Sequence, residues 1–142
     1  MTKKLPKEQS RPGLDRLGRT PLHYAASDSS FSETERLLQG SANPNARDDN
    51  GWTPLHFAAQ SGAFEIAALL LQMGAEANAT DSNGNTPLFR AVFCYAGEGS
   101  LIEVLRKAGA DPHKENNYGT TPLGLARDIA NYDVRKFFVD LP

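Results

Sequence analysis

Few side chains in this chain are suited to chemistry. Its 142 residues hold three histidines, His23, His56 and His113, and one cysteine, Cys94. A zinc site needs three or four such donors at short intervals, whereas these histidines lie 33 and 57 residues apart. One thiol cannot close an internal disulfide. As a nucleophile Cys94 would need an activating base, and no histidine lies near it in sequence. The stretch Gly97-Glu-Gly99 lacks the third glycine and preceding strand of a dinucleotide loop, and no Gly-Lys-Ser/Thr phosphate loop occurs. Asn78-Ala-Thr80 fits a glycosylation sequon, but no secretory signal accompanies it. These residues predict no catalytic centre, no metal and no cofactor. The remote alternative is an enzyme that uses the loop around Cys94.

The elements that position these residues come from comparing the chain with itself. Four segments begin alike: Thr20-Pro-Leu-His-Tyr-Ala-Ala26, Thr53-Pro-Leu-His-Phe-Ala-Ala59, Thr86-Pro-Leu-Phe-Arg-Ala-Val92 and Thr121-Pro-Leu-Gly-Leu-Ala-Arg127. Their starts are 33, 33 and 35 residues apart, and each follows a turn that ends in glycine: Gly18, Gly51, Gly84 and Gly119. Threonine can cap the free amides of a first helical turn, and proline at the next position sacrifices no intrahelical hydrogen bond. Thr-Pro is therefore a helix start. In the second unit a first helix is expected from about Thr53 to Ser61, with Leu55, Ala58 and Ala59 inward. Gly62 permits a turn, and a second helix near 64–73 carries the stripe Ile66, Leu69, Leu70 before Gly74 ends it. One helix pair leaves an apolar side uncovered, so the units must stack.

This pattern resembles the ankyrin repeat family over residues 15–142. The resemblance implies an all-α solenoid of helix-turn-helix units with projecting β-hairpin fingers, divided at 15–47, 48–80, 81–115 and 116–142. Residues 1–14, with Pro6, Pro12 and Gly13, read as a basic, flexible tail. The first unit reads as a cap because Glu33 replaces Ile66 of the second. The last reads as the other cap, with Val134, Phe137 and Phe138 inward and Arg135 and Lys136 outward. In the third unit Phe93-Cys-Tyr-Ala-Gly-Glu-Gly99 is two residues longer than its counterpart in the second. It is either a tolerated loop or a binding element built on Phe93, Cys94 and Tyr95.

The resemblance implies that His23 and His56 hydrogen-bond backbone between units and that function lies on the surface formed by finger tips and first helices. Carried over residue by residue, the partner-binding positions are Arg16, Leu17, Arg19, Asp49, Asn50, Trp52, Gln60 and Ser61 in the first two units. The last two units add Ser82, Asn83, Asn85, Phe93, Asn117, Tyr118 and Thr120, and the inserted loop adds Tyr95. Trp52 and Tyr118 are expected to be exposed anchors outside the helix stack.

Charge and composition narrow the partner. The net charge is −2, yet residues 1–19 carry six cations against Glu8 and Asp15, a balance of +4 that leaves −6 on the rest. An acidic body makes nucleic acid a poor main partner and a basic protein a better one; the tail is where nucleic acid would bind if it did. The longest apolar run, residues 66–71, is far shorter than the roughly 20 residues of a membrane span. The expectation is a cytoplasmic protein, monomeric when free, that binds another protein and inhibits or neutralises it, as immunity proteins neutralise toxins. An adaptor or scaffold is the alternative.

Overall fold

A computed structural model describes residues 14–129 and 133–142. The helices alternate in length along the chain: α1 Pro21–Ser27, α2 Phe31–Gln39, α3 Pro54–Ser61, α4 Phe64–Gln72, α5 Pro87–Phe93, α6 Ser100–Lys107 and α7 Pro122–Asp128, closed by a 3₁₀ helix, Asp133–Phe138. The first helix of each pair, α1, α3, α5 and α7, starts for the reason its sequence supplies. The hydroxyls of Thr20, Thr53, Thr86 and Thr121 accept the amides of His23, His56, Phe89 and Gly124, with proline in the first turn.

Consecutive helices pair as α1 with α2, α3 with α4 and α5 with α6, and α7 packs on the 3₁₀ helix. Between pairs, α1 packs on α3, α3 on α5 and α5 on α7, while α2 packs on α4 and α4 on α6. Two parallel rows of helices result, with the core between them. Leu22, Leu55, Leu88 and Leu123, from one position of the Thr-Pro-Leu repeat, are buried in series, as are Ala26, Ala59, Val92 and their neighbours. Alanine there lets first helices approach closely. In the second row Leu38, Ile66, Ala67, Leu70, Ile102 and Leu105 fill the core, and Leu69, expected in the stripe, is only partly buried against it.

The segments joining one pair to the next contain no strand among the described residues, so the expected β-hairpin is reduced to a tight turn. Two backbone bonds close each finger. The amides of Asp15, Asp48, Asp81 and Asn116 donate to the carbonyls of Arg19, Trp52, Asn85 and Thr120, and the amides of Gly18, Gly51, Gly84 and Gly119 donate back to the carbonyls of Asp15, Asp48, Asp81 and Asn116, all at 2.9–3.1 Å. Gly51 illustrates the tightness. Its φ is +77°, and a Cβ there would lie 2.9 Å from the Ser82 amide nitrogen of the next finger.

The two ends differ from the middle. At Ser29 and Ser41, where the second unit has Gly62 and Gly74, the chain keeps the left-handed turns with φ of +57° and +74°. The closing helix is 3₁₀ and buries Val134 and Phe138, with Phe137 partly buried and Arg135 and Lys136 exposed. The tail, residues 1–13, and residues 130–132 lie outside the described residues. No described helix is long and apolar enough to cross a membrane.

Candidate functional site

The fingers are spaced by polar side chains turned inward. Oδ1 of Asp15 accepts the amides of Leu17 and Arg19, Asp48 those of Asn50 and Trp52, Asp81 those of Asn83 and Asn85, and Asn116 those of Tyr118 and Thr120, all at 2.8–3.0 Å. Neighbouring fingers are then bonded through their tips: Asp49 donates to the Leu17 carbonyl, Ser82 to Asn50 and Asn117 to Asn83, at 2.8–2.9 Å. The backbone of the tips is thereby fixed while their side chains remain outside. Arg16, Leu17, Asp49, Asn50, Ser82, Asn83, Asn117 and Tyr118 are exposed there, Tyr118 by 77%. The family-derived site also runs along the first helices, where Gln60, Ser61 and Phe93 are exposed and Arg19 and Thr120 half-buried.

Two expected contact residues are not on the surface. Asn85 is only 8% exposed, because its side-chain oxygen accepts a 2.9 Å bond from Asn116 and its carbonyl serves His56. Tyr95 is only 7% exposed, its ring 5.7 Å from that of Phe137. The inserted loop therefore turns one aromatic under the last unit and leaves Phe93, 60% exposed, outside. Trp52 also departs from expectation. Instead of standing clear of the stack it is half-buried, with its ring 4.8 Å from Phe57 and 5.7 Å from His56.

That fold-back builds the site. A cleft of about 430 Å³ opens across the first three units, with Trp52 and Phe57 as apolar lining and Asn50, Gln60, Ser82 and Asn83 as neutral polar groups. Rings and guanidinium groups alternate along it. Arg19 lies over Tyr24 at 5.9 Å and over Phe57 at 5.1 Å; Arg90 lies over Trp52 at 4.8 Å and Phe93 at 5.3 Å. Such contacts hold planar cations against apolar surface while their edges remain free to donate hydrogen bonds. Arg19 is further tied to buried Asp48 at 3.3 Å.

Sequence reasoning passed over Tyr24, Phe57 and Arg90, although a signal existed. All three occupy the variable position of Thr-Pro-Leu-His-x-Ala. That position changes from unit to unit and is exposed in Tyr24, half-buried in Arg90 and buried in Phe57.

The histidines are structural in geometry. In His56, Nε2 donates to the Asn85 carbonyl at 2.9 Å and Nδ1 accepts the Thr53 amide at 3.1 Å. His23 repeats this with the Trp52 carbonyl and the Thr20 amide, both at 2.9 Å. Burial holds both imidazoles below the ordinary histidine pKa. A second proton would have to sit on Nδ1, where an amide already points. The third histidine, His113, is exposed.

Cys94 lines a separate cleft of about 270 Å³ with Tyr95 and Ile102; the described lining holds no histidine, and Glu98 is its one carboxylate. Among the described residues no group of three or more His, Cys, Asp or Glu side chains is arranged to hold a metal.

Comparison with known families finds the chain similar to the family model described as ankyrin repeats (3 copies), over residues 1–81 and 33–116. No curated protein matches the chain.

Proposed function

The chain belongs to the ankyrin-repeat family, whose repeats bind other proteins, and from that premise we propose that it is a cytoplasmic inhibitor that seats a partner on its finger side. Inhibition follows by occupancy, as when an immunity protein covers a toxin. The observation that supports this best is the cleft across the first three units, with half-buried Trp52 and buried Phe57 beside the neutral polar groups of Asn50, Gln60, Ser82 and Asn83. An aromatic centre that docking would strip of water, ringed by hydrogen-bonding groups, has the composition of an interface hot spot. Leu17 and Tyr118 extend apolar surface to either side along the finger row.

Overall charge acts at longer range than these contacts. The −6 carried by residues 20–142 would draw a basic toxin or enzyme, whereas the contacts made on arrival depend on the local groups of the cleft.

One observation favours an adaptor instead. Phe31 and Phe64, the first residues of α2 and α4, are 42% and 39% exposed beside a second, smaller cleft of about 260 Å³. Two such surfaces suit a chain that joins two partners. The test is to purify the protein that binds the native chain stoichiometrically and follow that partner's own activity during titration. Inhibition predicts loss of activity that ends at one equivalent and needs a higher concentration of the Trp52→Arg variant. A partner that stays fully active when saturated refutes inhibition and favours the adaptor.

A further inference from the structure

The cleft contains two arginines in unlike states. Arg19 is paired with Asp48 at 3.3 Å, so its charge is answered within the fold. Arg90 has no carboxylate within ion-pairing distance among the described residues, and its Nε is buried without a hydrogen-bond partner. What holds it is aromatic: the guanidinium lies over Trp52 at 4.8 Å and over Phe93 at 5.3 Å. Contact with rings satisfies the faces of a guanidinium but none of its five N–H groups, which point outward in its plane. An unanswered, partly desolvated cation of this shape fits the two oxygens of a carboxylate, which it can grip with parallel bonds.

We propose that Arg90 is the receptor for an aspartate or glutamate side chain carried on an extended segment of the partner protein, with an apolar neighbour of that acid covering Trp52 and Phe93. This rests on the finger-side docking argued above and names what enters the cleft. Charge decides the class of ligand. Among the charged groups that line the cleft, Arg19 and Asp48 answer each other and Arg90 is left to match a single carboxylate; Asp81, with one unpaired oxygen, is buried and is not part of the lining. A phosphate dianion would bring a second negative charge close to Asp48, and a nucleic-acid backbone would need a row of cations where this cleft has one. The neutral groups of Asn50, Ser82 and Asn83 suit the amides and carbonyls of a peptide chain.

Trp52 is the chain's one tryptophan, so its fluorescence reports on this cleft directly. A displayed library of random twelve-residue peptides, C-terminally fused so that no free carboxylate is offered, is panned on the full chain and counter-selected on Arg90→Gln. Recovered peptides are then synthesised with amidated ends and titrated. The expected consensus holds one Asp or Glu within two residues of an aliphatic or aromatic residue. Replacing that acid by its amide should weaken binding at least tenfold on the native chain and less than twofold on Arg90→Gln. Arg90→Lys, which keeps the charge but loses the planar fork, should retain binding at an intermediate level, and Arg135→Gln on the outer surface should match the native chain.

The proposal is overturned if no Arg90-dependent peptide is recovered, or if the consensus lacks an acid. Equal losses on the native chain and Arg90→Gln, or tighter binding by phosphoserine or a single-stranded oligonucleotide, overturn it as well. Peptides that ignore the acid but lose affinity on Trp52→Arg would sink the carboxylate receptor and leave finger-side docking standing. Peptides insensitive to both Arg90 and Trp52 would remove both.

Discussion

Replacing His56 by alanine tests the physical account of the stack most directly. The imidazole is fully buried, bridges the Thr53 amide to the Asn85 carbonyl, and rests beside Trp52. Its removal leaves the Thr53 amide unpaired where water does not reach and takes one of two donors from the buried Asn85 carbonyl, which keeps the Asp81 amide at 2.9 Å. An unsatisfied buried group costs about 1–3 kcal/mol, so the stranded Thr53 amide predicts a loss of about 1–3 kcal/mol. That is a large share of the roughly 5–15 kcal/mol that holds a domain of this size together.

The same geometry dictates a pH signature. Burial lowers the folded-state pKa of His56 below the ordinary 6.5. Between those two values the unfolded chain binds more protons than the folded one, so stability is complete above pH 6.5 and falls as pH drops through the folded value. His56 should add up to about 1.4 kcal/mol per pH unit to that slope. Urea denaturation followed by circular dichroism at pH 7.5 and 5.5 measures both effects. The alanine variant should be less stable at pH 7.5 and less pH-dependent, while His113→Ala should match the native chain. A variant as stable as the native chain, or one with an undiminished acid slope, would refute the bridging role.

Other outcomes follow from particular residues. Ser29→Gly and Ser41→Gly should each raise stability by about 0.5–1 kcal/mol, because a left-handed φ costs a non-glycine residue more than glycine's extra chain entropy; thermal melts check the sign. Gly99→Ala should destabilise by about 1–3 kcal/mol, since the added Cβ would fall 1.9 Å from the Phe137 ring, and native-like melting would refute the packing of Tyr95 beneath that ring. Trp52→Arg should keep the fold, as Arg19 occupies the same position one unit earlier and pairs with Asp48, while Asp81 has a buried oxygen awaiting such a partner. It should nevertheless weaken partner binding by about 2 kcal/mol, measurable by calorimetric titration. Deleting residues 116–142 should expose Leu88 and Val92 on α5 and cause aggregation, visible by size-exclusion chromatography; a soluble remainder of undiminished thermal stability would refute the capping role.

The helical solenoid could be read from the sequence because its local instructions act over three or four residues. Thr53 caps the amide of His56, Pro54 fits the first turn, and Gly62 takes the left-handed turn with φ of +71°; each can be judged without knowing the rest of the chain. The 33-residue recurrence then implied stacking, since a lone pair of helices could not bury Leu55 and Ile66 together. Family resemblance placed the surface on the finger row, where Asp49, Asn83 and Tyr118 are indeed exposed.

The tertiary structure decided which aromatics serve the core and which serve the surface, because that choice depends on neighbours a full repeat away. Tyr95 and Phe93 are two residues apart, yet Phe137 covers only the first. Trp52 and Arg90 are separated by 38 residues in sequence and by 4.8 Å in space, so neither the half-burial of the ring nor the setting of the cation was visible along the chain. The chain's overall acidic excess does not describe the cleft, for a related reason: Asp15, Asp48 and Asp81 each turn one oxygen onto finger amides, and the cation without a carboxylate partner in the cleft is Arg90. A repeat sequence determines each unit through short-range rules, but the chemistry between units is set by pairs of positions that the repeat leaves free to vary.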